Sequence, residues 1–257
     1  MLVAALDTAT LTLSCVLADV APGAAARVRC ERTEHAPAKA ARGAVTGGHG
    51  ARLPSALTDL LVAEGLTLPD VEGYAIGIGP GSFTGLRIGL ATWKGLAYAN
   101  RRPLAGVSSL AAMALAAAAD APEGTLLVPL LDAKKGEVYA GFYRAEGKGV
   151  AAVAPDAALG PDALVARLAA LPDPGAARAF GEGYAAFAAA LEGRLTRLAT
   201  AVVTPPASAV AALAGDALLS RPFDAQALFA LEPHYVRPSE AELKFPHGLG
   251  PGATKPA

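Results

Sequence analysis

Two short apolar runs joined at an acidic corner occur twice in this chain, about half a chain apart, and that repetition restricts the fold more than any other feature. Residues 2–6 (LVAAL) and 11–17 (LTLSCVL) read as strands on either side of a polar turn that begins at Asp7. Residues 126–131 (LLVPLL) and 137–143 (EVYAGFY) repeat the arrangement, with Asp132 at the corner and AKKG as the turn. After the first hairpin come a strand near 27–33 and a helix from about Ala51 to Glu64, in which Leu53, Leu57, Leu60 and Leu61 share one face. The next strand, YAIGIG at 74–79, is continuously apolar, as expected of a central parallel strand covered on both sides. A GPG turn then leads into a helix from about Ser82 to Ala99.

Hairpin, strand, helix, strand, helix is the order of a ribonuclease-H-like unit. Two such units in tandem predict an α/β fold of the ASKHA (actin-like ATPase) type, in which ligands sit in the cleft between lobes. The expected organisation is an N-terminal ribonuclease-H-like lobe over 1–105 and a second one over 106–225. A segment over 226–245 returns to pack on the lobes, and a Gly/Pro-rich disordered tail covers 246–257. Ala- and Pro-rich stretches from 150 to 225 blur the periodicity there.

Composition removes several function classes. With 22 basic and 23 acidic residues, the chain has no excess positive charge to draw in a phosphate backbone. Apolar runs such as 110–119 are too short to span a bilayer. The opening MLVAALDTATLTLSCVL lacks a basic start and carries Asp7, so no signal peptide is expected and the location expected is cytoplasmic, without membrane contact. Cys15 and Cys30 are too few for a disulfide framework and read as small buried side chains.

The most informative segment is 77–99, GIGPGSFTGLRIGLATWKGLAYA. Its glycines allow a tight turn into a helix whose free amides attract anions. Nucleotide templates nevertheless fail: a Rossmann fingerprint starting at Gly77 needs glycine where Ser82 stands, and no Lys-Ser/Thr pair follows for a P-loop. Within the helix, Gly85 and Gly89 form one stripe of small residues, and Ala91, Gly95 and Ala99 form another. Such stripes let a second helix approach closely. Packing on the chain's own sheet accounts for one stripe more easily than for both.

The run at 77–99, followed by GVSSLAA at 106–112 and preceded by LDTAT, closely resembles the signature of the TsaB (YeaZ) family; DAKKGEVYAGFY at 132–143 and EPHYVRP at 232–238 extend the resemblance. The family implies a non-catalytic subunit working beside its paralogue TsaD, which transfers a threonylcarbamoyl group to the adenosine next to the anticodon of tRNA. It implies TsaE as a further partner, a functional link to TsaC, a homodimer in isolation, and contact with tRNA only indirectly. The partner surface implied is the face of the first two helices of the N-terminal lobe. Gly85, Gly89, Ala91, Gly95 and Ala99 are its candidate residues, with Leu57, Leu61 and Trp93 as apolar neighbours. In TsaD the segment matching GVSSLAAM carries two metal-binding histidines. Ser109 and Met113 stand there in this chain, and neither suits iron or zinc. His35, His49, His234 and His247 include no pair at helical ligand spacing, although His49 sits where the family places a histidine before the first helix.

Two enzymatic readings compete. In an ATP-dependent enzyme of this superfamily, Asp7 and Asp132 would serve phosphate and magnesium. The first corner is Asp7-Thr8-Ala9-Thr10, with alanine where such a site uses glycine, and both aspartates equally suit turns in which the carboxylate binds its own backbone. A weak ATP or ADP corner at Asp7, Thr8 and Thr10, with magnesium only alongside nucleotide, stays open; no obligatory cofactor is expected. A peptidase would need a metal site or a nucleophile elbow, and GVSSL at 106–110 is not one. Ser108 and Ser109 read as helix caps.

Overall fold

The computed structural model describes residues 1–35 and 49–237. The expected tail at 246–257, His247 and the end of the expected returning segment lie outside the described residues. The first sheet is built from β1 (Leu2–Asp7), β2 (Leu13–Asp19), β3 (Arg27–Glu34), β4 (Gly73–Gly77) and β5 (Leu104–Val107), in the order β3-β2-β1-β4-β5. β1, β2 and β3 pair antiparallel, whereas β4 joins β1 and β5 joins β4 in parallel. Helix α1 (His49–Ala63) connects β3 to β4, and α2 (Phe83–Asn100) connects β4 to β5.

Beyond α3 (Ser109–Ala117), the second sheet repeats the plan with β6 (Leu126–Lys134), β7 (Glu137–Glu146), β8 (Gly149–Leu159) and, after α4 (Pro161–Ala169), β9 (Ala177–Phe180). Its order is β8-β7-β6-β9, with β9 parallel to β6. A parallel bridge between Ala179 and Arg197 stands where a fifth strand would begin. The short helices α5 (Glu182–Ala186) and α6 (Ala188–Leu191) follow, then α7 (Ala207–Ser220) and α8 (Ala225–Ala230). No helix among the described residues is long and apolar enough to cross a membrane.

The two-residue alternation of β1 explains how the first sheet is covered. Leu2, Ala4 and Leu6 point into a core shared with Leu53, Leu57, Leu61 and Trp93 of α1 and α2. Val3 and Ala5 point the other way, into a core shared with Ala207, Val210, Ala214 and Leu218 of α7. This corrects the expected boundary: α7 falls inside 106–225 yet packs on the first sheet. Its alanines let it lie close to β1, and the same alanines erase the contrast by which its faces could be told apart in sequence. In the second lobe, Leu126, Val128 and Leu130 face α4, whereas Leu127 and Leu131 face α3. Helix α3 thus lies against the second sheet while also touching α7 of the first lobe.

Candidate functional site

Parallel pairing of β1 and β4 places Asp7 at the C-terminal end of a central strand, where ligands of α/β sheets bind. The corner is closed from within. Asp7 is 1% exposed; its Oδ1 accepts the Ala9 amide at 2.8 Å and its Oδ2 accepts the Ser109 hydroxyl at 2.6 Å. Ser109 Oγ also accepts the Gly79 amide at 3.2 Å. A Cβ on Gly77 would stand 1.8 Å from Asp7 Oδ2, so glycine is what lets the carboxylate fold back onto β4. The Thr8 hydroxyl donates to the Gly85 carbonyl at 2.9 Å, and a Cβ on Gly89 would meet it at 2.4 Å. Helix α2 therefore sits directly on the corner, held at its start by the 2.6 Å bond from the Ser82 amide to the Ala9 carbonyl.

Burial pushes the Asp7 carboxyl up to about 7, against the opposing pull of its bonds from Ser109 and Ala9. Between about pH 4 and 7 the folded protein thus keeps a proton that the unfolded chain has released. The stabilisation is complete below the ordinary carboxylate value of 3.8 and is lost as pH rises through about 7. We expect urea unfolding to report a fall of roughly 1–3 kcal/mol from about pH 5 to 7.5. Asp7→Asn, which offers a carbonyl to Ala9 and an amide to Ser109 at every pH, should lose that slope. Equal slopes in the two proteins would refute the assignment.

The second corner is open. Asp132 Oδ1 accepts the Lys134 amide at 2.7 Å and Oδ2 pairs with the Lys134 ammonium at 2.6 Å. Burial works against ionisation there, yet the bonds from Lys134 hold the carboxyl below its usual value. Between the corners lies a cleft of about 510 Å³. Thr10, Ser82, Asp132, Lys134, Glu182 and Arg237 line it. Burial raises the Glu182 carboxyl, with Lys134 opposing and Asp132 reinforcing the effect. Of the three residues expected to form a nucleotide corner, only Thr10 reaches the cleft. Thr8 is buried under α2 and Asp7 is bound internally.

The metal positions of the TsaD pattern do not fit a metal here. Ser109 is engaged with Asp7, and Met113 is a buried core side chain whose Cε lies against Gly181. Among the described residues no group of three or more His, Cys, Asp or Glu side chains could hold a metal ion. Ser108, by contrast, caps α3 as expected, accepting the Ala111 amide at 3.2 Å.

The partner-surface residues divide by helix face. Ala91, Gly95 and Ala99 are exposed along the outer face of α2. Gly85 and Gly89 are buried on the opposite side against Thr8, so that stripe serves internal packing. Leu57, Leu61 and Trp93 are corrected: they are 3%, 4% and 0% exposed and belong to the lobe's core, because a leucine stripe at helical spacing is satisfied first by the helix's own sheet. Gly95 is unlike its neighbours, since a Cβ there would meet nothing within 4 Å among the described residues. A mid-helix glycine costs about 0.5–1 kcal/mol relative to alanine, and nothing in the packing of the described residues requires it. Glu182 and Arg237 carry no sequence signal as cleft residues; Glu182 falls in the alanine-rich region, and Arg237 stands near the end of the EPHYVRP element without a motif that assigns it a role.

Two lobes of ribonuclease-H-like order facing a common cleft define the class as an ASKHA-type fold. The model of the family "TsaD: tRNA N6-adenosine threonylcarbamoyltransferase" matches residues 44–245. The chain is 39% identical over 103 residues to tRNA threonylcarbamoyladenosine biosynthesis protein TsaB of Escherichia coli K12, covering 40% of this chain and 44% of that one. It is 36% identical over 108 residues to TsaB of Bacillus subtilis 168, covering 42% and 46%. The match thus spans less than half the length of these curated relatives. The solved structure of YeaZ from Pseudomonas aeruginosa superposes with a TM-score of 0.69 at 29% identity, covering 91% of this chain and 99% of that one. The chain belongs to the TsaD family, and within it to the TsaB/YeaZ proteins.

Proposed function

We propose that the chain is a non-catalytic activating subunit in the synthesis of threonylcarbamoyladenosine on tRNA. The observation that carries this reading is the closed first corner. Both Asp7 oxygens accept bonds from inside the protein, and the carboxyl is sealed by Ser109 and α2, so it has no free face for a magnesium ion or a phosphate. Any nucleotide would have to rely on Thr10, Lys134 and Arg237 in the cleft.

The outer face of α2, bordered by α1, is the surface for TsaD. Gly95 supports this, because glycine at an exposed mid-helix position suits close approach of another backbone. The same face pairs two copies of this chain when TsaD is absent. TsaE joins the pair, TsaC supplies the threonylcarbamoyl adenylate, and TsaD holds most of the tRNA, in keeping with the balanced charge of this chain.

The test is reconstitution of tRNA modification from TsaC, TsaD and TsaE, with and without this protein. Modification is expected only when it is added. Gly95→Arg should fold normally and lose about 2 kcal/mol or more of pairing energy, roughly a thirtyfold weaker complex. Unchanged pairing would move the partner surface elsewhere. The acidic pair Asp132 and Glu182 in the cleft favours a second reading, an ATP-dependent enzyme with its own site. Rapid ATP turnover by the isolated chain would establish that reading in place of the first.

A further inference from the structure

The segment after α7 crosses from one lobe to the other. Leu228 is buried in the first lobe's core, and the Phe229 carbonyl accepts the Lys94 ammonium of α2 at 2.9 Å. Gly106 leaves room for Leu231, whose Cδ1 would lie 3.0 Å from a Cβ there. The His234 amide then donates to the Ile78 carbonyl at 2.7 Å, just past the end of β4. Tyr235 lies over the first turn of α2: its hydroxyl accepts Arg87 Nε at 2.9 Å and its ring is 5.3 Å from that of Phe83. The Arg87 guanidinium in turn lies 3.9 Å from the centre of the Phe83 ring. The next anchor is on the other lobe, where Arg237 Nη1 donates to Glu137 Oε2 of β7 at 2.9 Å while its side chain lines the cleft.

We propose that residues 223–237 act as a clasp that sets the width of the cleft between the lobes. Its root is fixed on the first lobe by apolar burial and main-chain bonds, and its tip holds the second lobe by the Arg237–Glu137 ion pair, with His234 also near enough to Asp156 of β8 to act on its charge. The two halves of the contact are unequal. The root is buried or backbone-bonded, whereas Arg237 and Glu137 are 27% and 36% exposed, in the range where ion pairs are weak and salt-sensitive. A second link joins the lobes at the junction of β5 and α3, where Asp156 of β8 accepts the Ser108 and Tyr143 hydroxyls, each at 2.7 Å. That link combines two hydrogen bonds with the chain's own passage from β5 to α3, whereas the tip of the clasp rests on a salt-sensitive ion pair, so the lobes pivot at Asp156 and open at Arg237.

The test uses the full chain with spin labels at Thr84→Cys and Ala185→Cys, exposed positions next to the cleft residues Phe83 and Ala186, in a Cys30→Ser background. Pulsed electron resonance should give one narrow distance distribution at low salt. Arg237→Glu should shift it to longer separations and broaden it, with the melting temperature little changed. Glu137→Arg combined with Arg237→Glu should restore the narrow distribution. Should Arg237→Glu fail to fold, Arg237→Gln carries the same expectation of broadening. An unchanged distribution in the single variant, or a charge swap that fails to restore it, would overturn the clasp.

Discussion

Gly77→Ala is expected to destabilise the protein by at least about 4 kcal/mol, well beyond the usual effect of adding one methyl group. The new Cβ would lie 1.8 Å from Asp7 Oδ2, 2.8 Å from its Cγ and 2.8 Å from Ser109 Oγ. No rotamer change relieves this, because the carboxyl is held on one side by the Ala9 amide and on the other by Ser109. The lesion is therefore specific to a pair. In an Asp7→Ala background most of the obstruction is gone, and Gly77→Ala should cost far less, giving a coupling energy of roughly 2–3 kcal/mol in the double-mutant cycle. Urea unfolding of the four proteins measures it. Additive costs would mean that Gly77 serves the backbone of β4 and not the carboxyl beside it.

Trp93→Ala should cost about 3–5 kcal/mol, lowering the melting temperature by roughly 10 °C in a chain of this size. Trp93 is fully buried; its indole N–H donates to the Ala4 carbonyl of β1 at 3.1 Å, and its ring meets Tyr74 edge-on at 6.2 Å. It fastens α2 to the first sheet. Any loss of pairing or of tRNA modification in this variant should follow the loss of fold, in contrast to Gly95→Arg, whose fold should persist. If Trp93→Ala instead kept its melting temperature and lost only partner binding, the residue would belong to the outer surface.

How much was legible differs by element. The first hairpin, α1, β4 and α2 could be placed to within a few residues, because strand and helix periods are strong there and the GPG turn marks the boundary. β8 and β9 and the position of α7 could not. In β8, GVAAVAPDAAL offers no alternation between large apolar and polar side chains. The faces of α7 differ mainly in which alanines are buried.

At the site, the aspartates and their turns were readable, since an aspartate two residues before an available amide has a local partner in both corners. The bond from Ser109 to Asp7 spans 102 positions and leaves no local trace. Likewise Gly89 and Gly95 are the same letter in one helix, one pressed against Thr8 and the other facing open space. The duplicated hairpins, the strand and helix order of the first lobe and the stripes of small residues can be read from the residues alone, because they depend on chemistry within a few neighbouring positions. Only the packed chain shows that the first corner is sealed, that Leu57, Leu61 and Trp93 belong to the core, and that the returning segment meets the second lobe through Arg237 and Glu137. Those outcomes depend on which distant surfaces meet, and side chains of the same type are buried or exposed according to what packs over them.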